Sequence, residues 1–332
     1  MNKSSFAILA MLAAGMLAVL GSPDLAAQNT TGTYPSRPVT IISPYVPGAV
    51  TDKDGRVWSQ KLTQALGKPF VLDFKPGAGS TIGTHYVAKA APDGHTLLII
   101  TSGFTVTAAM YKDLPYDPLK DLAPVSLTAE RPVTVLINPR LPIRNFVEYT
   151  TYARAHPNEL NFGTSGAGSI LHMAGAWMHS ATGTEVTFVH YKGSAPMLVD
   201  LVAGRVDAAP SNIFNAMPFI SSGKLRPIAI ASATRSQMLP GIRTVAEQGI
   251  PGYGYSAWGG LLSPAGVPAV IINKLSGEIA KYVKEPDVIE KLTGDGTVLI
   301  GSTPEAFRQT LVTEITRWKG LAQQFNIKAA DD

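Results

Sequence analysis

After a short basic start and one apolar run, the chain alternates short aliphatic stretches with segments whose apolar residues recur at helical spacing. Val39-Thr40-Ile41-Ile42 is a β-branched run that stops at Pro44. Residues 52–66 then carry Val57, Trp58, Leu62, Ala65 and Leu66 on one helix face, closed by Gly67. Phe70-Val71-Leu72 predicts the next strand. A glycine-rich turn over 77–83 leads into a helix reaching about Ala90, and residues 96–100 form the continuous apolar run of a strand buried on both faces.

The pattern then restarts. A strand is predicted at 133–137, a helix at 145–155, a strand at 161–163 and, past a Gly/Ser turn, a helix at 169–181. The strand 186–189, a helix over 194–203, the short run 208–210 before a helix near Ala216, and the strand 225–231 follow. From Leu261 the chain reads as helices at 268–284, 286–293 and 304–324, the last with Phe307, Leu311, Ile315 and Trp318 on one face. Strands alternating with helices imply βαβ units and parallel sheets. Two successive units predict an α/β protein of two lobes, each a mostly parallel sheet flanked by helices, with a cleft between them. The chain is expected to cross near 129–132 and return near 255–259, giving one lobe from 34–130 with 258–332 and the other from 131–257.

The N-terminal segment sets the compartment. Met1-Asn2-Lys3 is basic, an apolar run extends from Phe6 to Leu20, and Leu25-Ala26-Ala27 precedes Gln28. That order is a secretory signal over residues 1–27, shorter than the roughly 20 apolar residues of a membrane span. The chain has no cysteine, which excludes a disulfide framework and a lipid-modified cysteine, so a freely diffusing periplasmic monomer is expected. Removing residues 1–27 takes away Lys3 and Asp24 and leaves the net charge at +4. Charged residues are 16% of the chain with no dense Lys/Arg block; that argues against nucleic acid and is compatible with attracting small anions.

In open parallel sheets ligands bind beyond the carboxyl ends of strands, where helix N-termini and loop amides converge. Four turns have that context. Tyr45-Val46-Pro47-Gly48-Ala49-Val50-Thr51-Asp52 links the first strand to its helix; exposed amides there can accept a carboxylate, and Thr51 or Asp52 can cap the helix. Asp52 has two readings, a cap or a partner for an amino group. Gly77-Ala78-Gly79-Ser80-Thr81-Ile82-Gly83 has its glycines one residue off the dinucleotide fingerprint, and close packing of a helix start is the better reading. Thr101-Ser102-Gly103-Phe104 places two hydroxyls and an amide at a strand end; Phe104 either lines the ligand's apolar side or joins the core. Ser165-Gly166-Ala167-Gly168-Ser169 lets several N–H groups face one anion, with His172 either adding a hydrogen bond or packing in the helix. Ser211-Asn212 ends a further strand.

Catalytic constellations are missing. Ser165 sits in G-T-S-G-A, without the second glycine of a nucleophile elbow. His85, His95, His156, His172, His179 and His190 are scattered, with no H-E-x-x-H and no cysteine, and no phosphate-binding G-x-x-x-x-G-K-[ST] occurs. No enzyme activity, metal or cofactor is expected.

At these turns the sequence resembles the Bug family, the extracytoplasmic solute receptors of tripartite tricarboxylate transporters. The ordered matches are Tyr34-Pro35-Ser36-Arg37-Pro38, Pro47-Gly48 with Thr51-Asp52, Pro76-Gly77-Ala78-Gly79 with Ile82-Gly83, and Ala91-Pro92-Asp93-Gly94. Leu114-Pro115-Tyr116-Asp117-Pro118, Tyr191-Lys192-Gly193-Ser194-Ala195-Pro196 and Pro264-Ala265-Gly266 continue them. The resemblance implies a two-lobed type II periplasmic-binding-protein fold. It also implies a carboxylate held through the loop 44–52 and the second lobe, with 101–103, 165–169 and 211–212 at cleft-lining positions, and delivery to membrane transporter subunits. A sensor of the same fold, signalling to a membrane kinase, is the alternative. Val46 and Ala49 depart from the family's Pro-Pro-Gly-Gly, and Ser211 stands where Asp is frequent, which favours an anion. Tyr45, Phe104 and Val50 suggest an aromatic or longer-chain dicarboxylate.

Overall fold

The computed structural model describes residues 34–111, 113–294, 296–324 and 327; the signal segment expected over 1–27 lies outside them. The first run of elements is β1 (Val39–Ser43), α1 (Val50–Leu66), β2 (Phe70–Phe74), α2 (Thr81–Ala88), β3 (Thr96–Thr101) and α3 (Gly103–Met110). Then come β4 (Leu122–Ile137), α4 (Phe146–Ala155), β5 (Asn161–Thr164), α5 (Ile170–Thr182), β6 (Thr187–His190), α6 (Ser194–Ala203), β7 (Ala208–Asn212), α7 (Ile213–Ser221) and β8 (Arg226–Ile230). The last described elements are β9 (Ser256–Pro264), α8 (Ala269–Tyr282), α9 (Pro286–Thr293), β10 (Val298–Leu299) and α10 (Pro304–Gln324).

The strands lie in the order β2-β1-β3-β9-β4-β7-β5-β6, with β10 and β8 also paired to β4. The outer groups β2-β1-β3 and β7-β5-β6 are parallel. Between them β9 runs antiparallel to both β3 and β4, and β4 antiparallel to β7 and β8. Parallel pairing therefore stops at the middle, and the sheet is mixed where a mostly parallel one was expected. The physical reason is the crossing itself. The chain leaves the first half along β4 and returns along β9, so these two strands run opposite to each other.

Strand β4 is much longer than the run 133–137 suggested. Its first part pairs with β9 from Leu122↔Pro264 to Pro132↔Ser256, and its last five residues pair with β7 and β8. The sequence hides β9 because Gly259-Gly260 reads as a turn. Gly260 is there for space: a Cβ on it would lie 2.5 Å from the Phe307 ring. Helix α3 is hidden for a different reason. Residues 104–109 are all buried, so no amphipathic period marks the helix.

Helix α1 begins at Val50 and ends in a left-handed Gly67, whose N–H reaches Thr63 O at 3.0 Å. Two cores form. One gathers Ile42, Leu98, Ile100, Phe104, Trp258 and Phe307 around β3 and β9; the other gathers Phe146, Tyr149, Phe162 and Met173 around β5 and α5. Helix α10 serves both, giving Phe307 and Leu311 to the first and Trp318 and Leu321 to the second.

At the crossing, Arg131 Nη2 donates to both carboxylate oxygens of Asp54, on α1, at 2.7 Å. The two side chains are 9% and 3% exposed, so losing one partner strands a buried charge. Arg131→Ala is expected to lower the unfolding free energy in urea by about 3–5 kcal/mol. The double variant Asp54→Leu/Arg131→Met should recover most of that loss, because no charge is left unpaired.

Candidate functional site

A cleft of about 560 Å³ opens where the loop after β1, the turn before α2, helix α3 and the loop before α5 meet. Its polar surface comes from hydroxyls: Tyr45, Ser80, Thr101, Thr107, Tyr111 and Ser169. Its apolar surface comes from Val46, Ala49, Val106, Met110 and Ile170, and among the described residues no charged side chain lines it. Among the described residues, an anion held here meets hydroxyls, backbone N–H groups and the positive ends of helices.

Four helices begin at this cleft, α2 among them, with Ser80 at its start and no side-chain cap. Ala49 precedes α1 and has no side chain able to cap it; Ser102 precedes α3 and makes no side-chain cap either. The first N–H groups of these helices thus lack side-chain acceptors, which is the state that favours an anion. Helix α5 differs: Ser169 Oγ accepts from His172 N–H at 3.2 Å. Ser165 Oγ also donates to Ser169 Oγ, at 3.1 Å. With both lone pairs engaged, the Ser169 proton is left to point at a ligand.

On the other wall, Tyr45 OH and Thr101 Oγ1 lie 2.9 Å apart. Burial pushes the Tyr45 phenol above its ordinary range, with the Thr101 and Ser80 hydroxyls partly offsetting this, so Tyr45 stays a neutral donor. The turn before α2 is strained where it lines the cleft. Ala78 and Ser80 are left-handed at φ 44° and 80° although neither is glycine. Close packing fixes this turn, since a Cβ on Gly83 would lie 2.7 Å from Lys75 O.

Of the residues singled out in the sequence, Tyr45, Val46, Thr101, Gly103, Ala167, Gly168 and Ser169 line the cleft together. Others sit beside it. Pro47 and Val50 are exposed on the loop's outer side. Gly48 donates its N–H to Asp52 Oδ2 at 2.9 Å, and Asp52 Oδ1 takes Arg56 Nε at 2.5 Å. The Gly48 N–H holds the Asp52 carboxyl below its usual range, with Arg56 adding to this, so Asp52 braces its own loop. Ser165 and Gly166 stand one layer back, Gly166 N–H reaching Thr164 Oγ1 at 3.4 Å.

Several expectations are corrected. Phe104 is fully buried among Ile42, Trp258 and Phe307, because the first turn of α3 aims it into the core. Thr51 is buried with its hydroxyl 2.9 Å from Ser43 Oγ, and Ser102 is buried with its N–H on Trp258 O. Ser211 is inside the sheet opposite Thr134, its hydroxyl donating to Asn212 O, and neither Ser211 nor Asn212 reaches the cleft. The charge argument based on Ser211 therefore falls. His172 lines a separate cavity of about 630 Å³ behind the loop. The sequence reading missed the α3 wall, Val106, Thr107, Met110 and Tyr111, and Ile170; a helix after residue 101 was the signal needed.

The profile of the family described as "Tripartite tricarboxylate transporter family receptor" matches residues 55–327. The chain is 34% identical over 319 residues to the protein BugT of Bordetella pertussis, covering 94% of this chain and 98% of that one. A Rhodopseudomonas palustris protein solved with adipate superposes with a TM-score of 0.74 at 34% identity, covering 89% of this chain and 99% of the other. The R. palustris protein MatC with bound malate gives 0.71 at 32% identity, covering 87% and 99%. A TctC solute-binding protein from Polaromonas, without ligand, gives 0.79 at 26% identity, covering 88% and 100%.

The histidines behind the loop carry a pH signature. Burial, helped by neighbouring His190, holds His172 down to about 4, and burial holds His179 down to about 3. In an unfolded chain both titrate near 6.5, so there the unfolded state binds more protons than the folded one. Stability is complete above about pH 6.5 and falls as the pH drops toward 4. Calorimetric melting between pH 8 and 4.5 should show this decline, and His172→Asn should flatten part of it.

Proposed function

This chain belongs to the tripartite tricarboxylate transporter receptor family, and from that premise we propose that it captures a dicarboxylate with an apolar body and delivers it to the membrane subunits of a tripartite transporter. The family and fold are those of periplasmic solute-binding receptors, not enzymes. Residues 1–27 act as the export signal in this reading, and no helix among the described residues is long and apolar enough to cross a membrane.

The observation that carries the reading is the uncharged cleft at the uncapped N-termini of α1 and α3. A carboxylate gains from those N–H groups and from the hydroxyls of Tyr45, Thr101 and Ser169. Val46, Val106, Met110 and Ile170 then suit methylene or aromatic carbon rather than further hydroxyls. The R. palustris relative with adipate has a ligand of this shape. A polyacid of the citrate kind would bring more charge than this lining, with no Lys or Arg among its described residues, offsets.

A thermal-shift screen tests this. A ligand at about 100 times its dissociation constant adds near 2.7 kcal/mol. Adipate, longer dicarboxylates and aromatic diacids should raise the melting temperature more than malate or citrate. A response confined to amino acids or uncharged solutes would sink the proposal. Against the best acid, Ser169→Ala should weaken binding more than Ser165→Ala. Each should leave stability within about 1 kcal/mol.

A further inference from the structure

The first turns of α1 and α5 are built alike on opposite sides of the cleft. In α1 the cap is Ala49, and the third helical residue, Asp52, accepts the N–H of Gly48, one residue outside the cap, at 2.9 Å. In α5 the cap is Ser169, and the third helical residue, His172, accepts the N–H of Gly168 through Nδ1 at 3.0 Å. Both glycines are left-handed, at φ 85° and 65°. Each clip reaches one residue further out than an ordinary capping box, in which the third residue binds the N–H of the cap itself. Each fixes the loop that lines its side of the cleft.

The clips differ in charge. Asp52 is a carboxylate whose second oxygen is met by Arg56. His172 has no such partner: its ring meets Phe188 at 4.9 Å and His190 at 4.5 Å between centroids. The cavity behind it is shared with His179 and Glu185, with no Lys or Arg among the described residues of its lining. An imidazole that accepts through Nδ1 carries its proton on Nε2 and is uncharged, and burial, which holds His172 down to about 4, favours that form. A carboxylate there would add a negative charge one layer behind the cleft.

We propose that His172 is the positioning residue of the second-lobe loop, a neutral acceptor that pins Gly168 as Asp52 pins Gly48 without adding a negative charge beside an anionic ligand. His172 thus acts through the loop and does not touch the ligand. The clip also explains which amides remain. Gly166, Gly168 and Ser169 each have an N–H partner within the loop or helix, so Ala167, which lines the cleft, is left to offer its N–H. The proposal rests on the carboxylate reading of the cleft.

The test uses the full chain with adipate as probe, titrated calorimetrically, together with amide exchange at Gly168. His172→Asn keeps a neutral acceptor near the Nδ1 position and should bind within about threefold of wild type, with Gly168 protected. His172→Asp should keep Gly168 protected yet bind roughly tenfold more weakly. His172→Phe, with no acceptor, should lose both the protection and roughly tenfold in affinity. The proposal is overturned if the Phe variant binds like wild type or if the Asp variant binds as tightly as the Asn variant. Should the Phe variant fold poorly, nitrogen NMR of the unaltered protein decides: an Nε2-protonated His172 supports the clip, an Nδ1-protonated one overturns it. A wild-type chain that binds neither adipate nor malate overturns the carboxylate reading instead, and the tautomer and the Gly168 exchange then judge the clip alone.

Discussion

One strand holds the two halves in register. Strand β4 runs along β9 from Leu122 to Pro132 and along β7 and β8 over its last five residues, so both halves share one backbone ladder. Each N–H and C=O in that ladder is an obligation that a shift of one half must honour. Arg131 sits at the changeover, and its buried partner Asp54 lies on α1, the helix whose start forms one wall of the cleft. Connection and site are thereby tied through one ion pair. Helix α10 adds a further tie by packing into both cores.

The cleft follows from the same economy. Helix starts converge where strands of both halves end, and the chain leaves three of those starts uncapped by side chains. Charges are kept to the periphery: Asp52 is turned onto its loop and Arg56, and Asp54 onto Arg131. What faces the ligand is a set of fixed dipoles, held in place by the residues one layer behind. Ser165 directs Ser169, and His172 holds Gly168.

Much of this was legible in the sequence, but unevenly. The loops 45–52 and 165–169 announce themselves through glycine, proline and cap residues placed after strands, and both reach the cleft. Local pattern does not say which way a side chain turns at a strand end. Thr51 and Phe104 fall inward and Ser211 stays within the sheet for that reason. Helix α3 lacked a polar face, and β9 carried a glycine pair required by Phe307; in both, tertiary contact overrode the local signal. The resemblance in ordered motifs supplied the family and the two-lobed plan, whereas the mixed direction of the central strands came only from the structure.

The lack of charged side chains among the described residues of the cleft has a consequence for where such a protein can work. Mobile ions shield one full charge from another over a Debye length of about 8 Å at physiological ionic strength, but they act little on hydrogen-bond donors already touching a bound acid. The time a captured molecule stays in place is therefore nearly independent of salinity. The rate of capture, drawn by a net charge of +4, slows as salt rises. In a compartment whose small ions follow the outside medium, retention stays constant while supply varies.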